Sequence, residues 1–112
     1  MPEGFTIDSR ESPGAIHIAP QGELDLATVP ELDAAIAAAQ ARPGLRVLVD
    51  LRGVTFLDAT ALRCLIRAKD RANAAGSVLE IVRGPGHVQH TVEVVGLAEE
   101  LPFVDRPTGE PG

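Results

Sequence analysis

The stretch FLDATAL, residues 56–62, sets one hydroxyl, Thr60, between two alanines and two residues after an acid. A hydroxyl so placed can cap a helix, attack a substrate beside a base, or accept a phosphoryl group. Two carboxylates, Asp50 and Asp58, lie near it in sequence and could together hold Mg²⁺ or act as an acid and base pair. No third ligand accompanies them, nor a basic residue placed to hold a phosphate, nor a hydroxyl, histidine and acid in a catalytic spacing. Catalysis is therefore not expected, and neither is a cofactor.

Other candidates are thinner. The run RGPGHV, residues 83–88, contains glycines and opens a helix, but it has neither the dinucleotide nor the Walker spacing and reads as a loop. His87 and His90 share a helical face, yet two ligands alone seldom make a metal site, so none is expected. Cys64 follows Arg63, and neighbouring arginines can make a thiol reactive; its place on the margin of a helix reads instead as packing.

These residues need a scaffold, and the chain's periodicities supply one. Phe5 and Ile7 alternate with Thr6 and Asp8, Ser12-Pro13-Gly14 makes a turn, and residues 15–19 alternate again with Ile16 and Ile18 on one face. An N-terminal hairpin is predicted, with His17 facing solvent. Thr28 followed by Glu31 is a capping-box pattern, with Pro30 in the first turn. The helix it opens runs through Leu32, Ala35, Ile36 and Ala39 and stops near Pro43-Gly44.

Residues 46–51, RVLVDL, suit a strand covered on both faces and placed at the centre of a sheet. Residues 59–75 carry a helical period, with Leu62, Leu65, Ile66 and Ala72 on one side and Gly76 as the stop. Residues 77–82 are another strand. Val88, Val92 and Val95 share a helical face ended by Gly96, then a short helix over 97–101 and an extended Phe103-Val104 follow. Residues 106–112 are expected to be a disordered tail after a single domain over 1–105. Strand and helix in alternation predict an α/β fold with a mixed, mostly parallel sheet of four to five strands, right-handed crossovers, helices packed on it and the hairpin at one edge.

Composition limits the partners. Sixteen acidic against ten basic residues give a formal net charge of −6, which repels a nucleic acid backbone, and the absence of Trp and Tyr removes stacking platforms. One cysteine excludes an internal disulfide, and no apolar run is long enough to span a bilayer. No secretory signal precedes the first strand, and the chain reads as a cytoplasmic protein, monomeric or weakly dimeric, with no membrane or nucleic acid partner.

If the second helix begins at Ala59, Asp58 is its N-cap and can accept from the amides of Thr60 or Ala61. At 100° per residue Thr60 projects with Arg63, Arg67 and Arg71, away from Leu62, Leu65 and Ile66. A phosphate there would add about −1.5 to −2 charges beside Arg63. An exposed, unmodified helix residue fits the same spacing.

Three stretches in the right order resemble a STAS domain of the anti-sigma factor antagonist group. GELDLATVPELDAAI (22–36) is similar to the family's stretch after the second strand, RVLVDLRGVTFLDATAL (46–62) to its central strand and phosphorylation loop, and GPGHVQHTVEVVGLAEELPFV (84–104) to its C-terminal helix and ending. The resemblance implies a non-catalytic protein that binds an anti-sigma factor, often itself a serine/threonine kinase, and so frees a sigma factor. It also implies that phosphorylation in the loop stops this binding and that a PP2C-type phosphatase restores it.

The loop's acid falls on Asp58, its usual hydroxyl pair on Ala59 and Thr60, and the glycine that often follows on Ala61, leaving Thr60 as the sole acceptor. Partner contact is expected at Asp25, Asp58, Ala59, Thr60, Ala61, Arg63 and Arg67. The alternatives are an unphosphorylated STAS scaffold or ligand-sensing module in a signalling assembly, and a receiver-like phosphoacceptor using Asp50.

Overall fold

The computed structural model describes residues 4–107. Strands β1 (Thr6–Ser12) and β2 (Ala15–Leu24) form the predicted antiparallel hairpin, closed by Pro13-Gly14 with Gly14 at positive φ. Helix α1 (Val29–Gln40), strand β3 (Arg46–Asp50), strand β4 (Val54–Leu57), helix α2 (Ala59–Ala75), strand β5 (Leu79–Val82), helix α3 (Gly86–Val94) and strand β6 (Phe103–Val104) follow. The sheet order is β1-β2-β3-β5-β6, with β4 paired to β2, and every pairing except β1 with β2 is parallel.

The α/β architecture with its N-terminal hairpin is as expected, with six strands instead of four to five. The additional strand is β4, which shares β2 with β3. The lower half of β2 (15–18) pairs β3, and the upper half (22–24) pairs β4 across a bulge at Gly22/Glu23. Gly22 sits at φ 107°, and a Cβ there would lie 2.3 Å from the Gly4 carbonyl oxygen. Only glycine fits this crossing.

Alternation along the strands sorts the core. Ile18, Val47, Val49 and Ile81 are buried on one face with Leu32 and Ile36 of α1 and Leu62, Leu65 and Ala68 of α2. Removing one of these large side chains, as in Leu65→Ala, costs about 2–5 kcal/mol. The alternates His17, Arg46, Leu48, Asp50 and Glu80 take the other face. There Arg46 pairs with Glu80, and His17 Nε2 lies 2.9 Å from Asp50 Oδ2.

His17 is thus part of a cross-strand pair, not the solvent-facing residue that alternation alone predicts. The parallel pairing of β2 with β3 carries His17 into the register of Leu48, next to Asp50, a neighbour 33 residues away with no local signature.

The two long helices run parallel. Cys64 Sγ lies 3.6 Å from Asp33 Oδ1, and Arg71 Nε donates to Gln40 Oε1 at 2.8 Å, so both contacts join residues 31 apart. At that offset Thr60 is level with Val29, and the N-termini of α1 and α2 lie side by side.

The C-terminal part departs from expectation in detail. Gly96 does take positive φ, and the amide of Leu97 closes on the Val92 carbonyl at 3.2 Å, as a Schellman cap requires. Val88 and Val92 are buried, but Val95 is exposed because the helix ends at Val94. Residues 98–100 form turns and not a helix. The tail expectation falls mainly on residues 108–112, outside the described residues; Pro107, which is described, is buried.

Candidate functional site

β4 delivers the chain to α2 through Asp58, whose extended backbone makes it the predicted N-cap. Its amide donates to the Leu24 carbonyl at 3.1 Å, and its Oδ1 accepts from the Ala61 amide at 3.2 Å. The first contact ties the β4–α2 junction to the end of β2, and therefore to Asp25. Two aspartates from segments 33 residues apart in sequence are thus brought together, Asp58 as the N-cap of α2 and Asp25 in the loop that leads into α1.

Asp25 does for its loop what Asp58 does for its own. Its Oδ1 accepts from the amides of Ala27 (2.9 Å) and Thr28 (3.3 Å). Thr28 Oγ1 accepts from the Asp25 amide at 3.0 Å and donates to the Glu23 carbonyl at 2.7 Å. Because Thr28 is buried and its hydroxyl is committed backwards, it makes no side-chain cap, and the capping box with Glu31 is not formed. The same bonds hold Leu26 outward, 75% exposed.

Thr60 occupies the first turn of α2, half-buried where full exposure was expected, since its row of the helix faces the start of α1. Its hydroxyl makes no side-chain hydrogen bond among the described residues, so the group is not needed for the fold. Ala59 is exposed; Ala61 is completely buried and contributes its capped amide, not contact surface. Arg63 and Arg67 are exposed and enter no ion pair among the described residues. Arg71, expected on the same outer row, instead reaches α1, 3.4 Å from Asp33. Phe56, 49% exposed on β4, adds a second apolar side chain at this end of the sheet.

The other candidates are accounted for locally. Asp50 is only 6% exposed. Arg52 Nη2 reaches its Oδ2 at 2.8 Å, Arg52 Nε and the Arg52 amide each reach Oδ1 at 3.0 Å, and His17 adds a further contact. Burial pushes its pKa up, but the Arg52 side chain and amide and the His17 ring outweigh that and leave it below the usual carboxylate value. Burial first, then the Asp33 carboxylate, drives the Cys64 thiol up to about 12 and keeps it protonated.

His87 Nε2 donates to the Thr55 carbonyl at 2.7 Å, and the amides of Val88 and Gln89 are already bonded to the Pro85 carbonyl. Among the described residues no three metal-ligating side chains converge, and no helix is long and apolar enough to cross a membrane. A concavity of about 380 Å³ on the other sheet face is lined by Arg10, His17, Arg46 and Glu80; its Arg46 and His17 are committed to the pairs described above.

The structure therefore brings together Asp25, Asp58, Ala59 and Thr60, with Arg63 and Arg67 along the adjoining face. It leaves Asp50 apart from them, engaged by Arg52 and His17. Sequence reasoning missed Leu26, though a leucine two residues past buried Leu24, inside an Asp-x-x-Thr turn, was a legible sign of an outward-facing apolar residue.

Comparison with known proteins bears on the fold. A family model described as "Mlab, STAS domain" matches residues 7–105. No curated protein sequence matches. Among solved structures, an anti-sigma factor antagonist from Mycobacterium paratuberculosis is similar at 23% identity and TM-score 0.81, over 95% of this chain and 90% of that one. The anti-sigma factor antagonist SpoIIAA in its unphosphorylated form is similar at 17% identity and TM-score 0.75, over 95% and 90%. SpoIIAA from Bacillus in its phosphorylated form is similar at 16% identity and TM-score 0.69, over 95% and 94%. These likenesses establish the fold.

Proposed function

Because the chain belongs to the STAS domain family, we propose that it is an anti-sigma factor antagonist, a cytoplasmic binding module and not an enzyme. It binds a kinase-type anti-sigma factor through Asp25, Asp58, Ala59, Thr60, Arg63 and Arg67, and so frees a sigma factor for transcription. Phosphorylation of Thr60 ends the binding, and a PP2C-type phosphatase restores it. The observation that carries the proposal is the Thr60 hydroxyl. It has no side-chain hydrogen bond among the described residues, lies two residues past the aspartate that caps its helix, and has Arg63 one turn away. That SpoIIAA is known in phosphorylated and unphosphorylated forms supports the same reading.

The physics fits a switch that spares the fold. A phosphate on Thr60 brings about −1.5 to −2 charges to the positive end of α2, where an anion gains roughly 0.3–1 kcal/mol from the helix dipole. Arg63 then turns to the phosphate. A partner seated there meets a new, strongly hydrated group that it must desolvate.

A pull-down with the purified kinase-type anti-sigma factor tests this. Thr60→Ala retains binding and Thr60→Glu loses it; equal binding by both removes the switch. A second reading is an unphosphorylated STAS module in a larger assembly, favoured by Ala59 in the place of a hydroxyl and by the half-burial of Thr60. Mass spectrometry after incubation with the kinase and ATP separates the two, since Thr60 stays unmodified in the second. A receiver-like role for Asp50 is disfavoured by its engagement with Arg52 and His17.

A further inference from the structure

β1 is an edge strand with one side unused. Among the described residues only β2 pairs with it, and every residue of β1 except Ile7 is exposed. The pairing fixes which backbone groups face outward. The Arg46 amide donates to the Gly14 carbonyl at 2.9 Å, so Ile16 and Ile18 turn their backbone groups to β3, and Ala15, His17 and Ala19 turn theirs to β1. Their partners Ser12, Arg10 and Asp8 are bonded inward, which leaves the amides and carbonyls of Ile7, Ser9 and Glu11 pointing away from the sheet.

An open edge is ordinarily guarded by charge. Here the charges are of opposite sign and stand symmetrically about Ser9, with Asp8 before it and Arg10 after it. Among the described residues they pair only with each other, Arg10 Nε lying 3.9 Å from Asp8 Oδ2 with both side chains largely exposed. A contact so long and so open leaves each of them free to take a better partner. Glu11 is already answered by Arg42, whose Nη2 donates to its Oε2 at 3.0 Å.

Antiparallel strands must meet with outward backbone groups facing each other, so a second copy of this edge can join the first in only a few registers. Centred on Asp8, Arg10 or Glu11, the pairing sets that charge against its own like; centred on Ile7, it leaves Arg10 facing Gly4. Centred on Ser9, it sets Asp8 of each copy opposite Arg10 of the other, in the closer kind of cross-strand pair. We infer that β1 pairs with β1 of a second copy about a two-fold axis at Ser9, making one continuous sheet of two domains. The contact uses none of the residues assigned to the anti-sigma factor, and its test is independent of that role.

Sedimentation equilibrium of the whole chain at low ionic strength, over a concentration series reaching about 1 mM, is the test. The wild type forms a dimer, and added salt weakens it because the ion pairs are exposed. Asp8→Arg and Arg10→Asp each set like charges opposite one another at both ends of the contact and weaken the dimer by about tenfold or more. Exchange of the two within one chain, Asp8→Arg with Arg10→Asp, restores it to within about threefold. Ser9→Pro removes an outward amide and abolishes the dimer while the ladder to β2 stays intact. The charge variants melt with the wild type, because neither side chain is in the core. A wild type that stays monomeric throughout overturns the inference. So does a dimer indifferent to the single reversals, or an exchange that leaves it as weak as they do.

Discussion

Asp50 and Asp58 occupy equivalent places, one at the end of β3 and one just past the end of β4, and they are used in opposite ways. Asp50 is turned to the face away from α1 and α2, is nearly inaccessible, and is held by Arg52 and His17. Asp58 is half-buried, spends its carboxylate on one amide of α2, and places Thr60 two residues beyond it at the surface. The first aspartate joins strands; the second shapes a surface. A carboxylate at a strand end acquires its role from what the neighbouring strand brings to it, and β2 brings His17 to one and the Leu24 carbonyl to the other.

Substitutions sharpen this contrast. Of the two aspartates, Asp50→Ala has the larger expected effect on stability, about 2–3 kcal/mol, because it strips the shared partner from two side chains at once; Arg52 and His17 keep some access to water, which holds the loss below that of a fully buried pair. For a domain of this size that is a fall in melting temperature of roughly 10–20 °C, read by thermal denaturation. Asp58→Ala costs about 1 kcal/mol through the lost cap, and Asp58→Asn costs almost nothing because asparagine caps as well. Equal losses at the two positions would erase the distinction between them.

Acid separates them further. The Asp50 carboxyl lies below its ordinary value of 3.8 in the folded chain, so its ionised form favours the native state. That contribution is complete above the unfolded value and is lost as pH falls from about 4 through the folded value. Urea midpoints measured from about pH 5 down to pH 3 therefore fall more steeply for the wild type than for Asp50→Asn. The smallest effect is at Cys64, where the raised thiol pKa and complete burial predict no reaction with a disulfide reagent at neutral pH until the chain unfolds.

Much of the scaffold was readable from the residues. Alternation around Ser12-Pro13-Gly14 predicts the hairpin, the Leu62, Leu65 and Ala72 spacing predicts α2, and Asp58 before Ala59 predicts its cap. Most of the errors depend on partners that a local pattern does not show. β4 is only four residues long and runs almost directly into α2; it exists because the upper half of β2 extends past β3 and offers a free edge. Thr28 followed by Glu31 has the letters of a capping box, but the Glu23 carbonyl takes the hydroxyl first.

His17 finds Asp50, and Arg71 finds α1, through register alone. In the site, Asp58 and Thr60 were legible because the loop is local. The closeness of Asp25 follows from the Asp58 amide reaching the Leu24 carbonyl, and the prominence of Leu26 from the hydrogen bonds of its turn.

The central claim is that one hydroxyl, at Thr60, controls partner binding. Its most direct test is calorimetric titration of the kinase-type anti-sigma factor with the wild-type chain before and after stoichiometric phosphorylation, with the modified residue located by mass spectrometry. The account predicts a phosphate on Thr60 and a loss of affinity of about a hundredfold or more, equivalent to roughly 2.7 kcal/mol. A phosphate on Thr60 with unchanged affinity would contradict it.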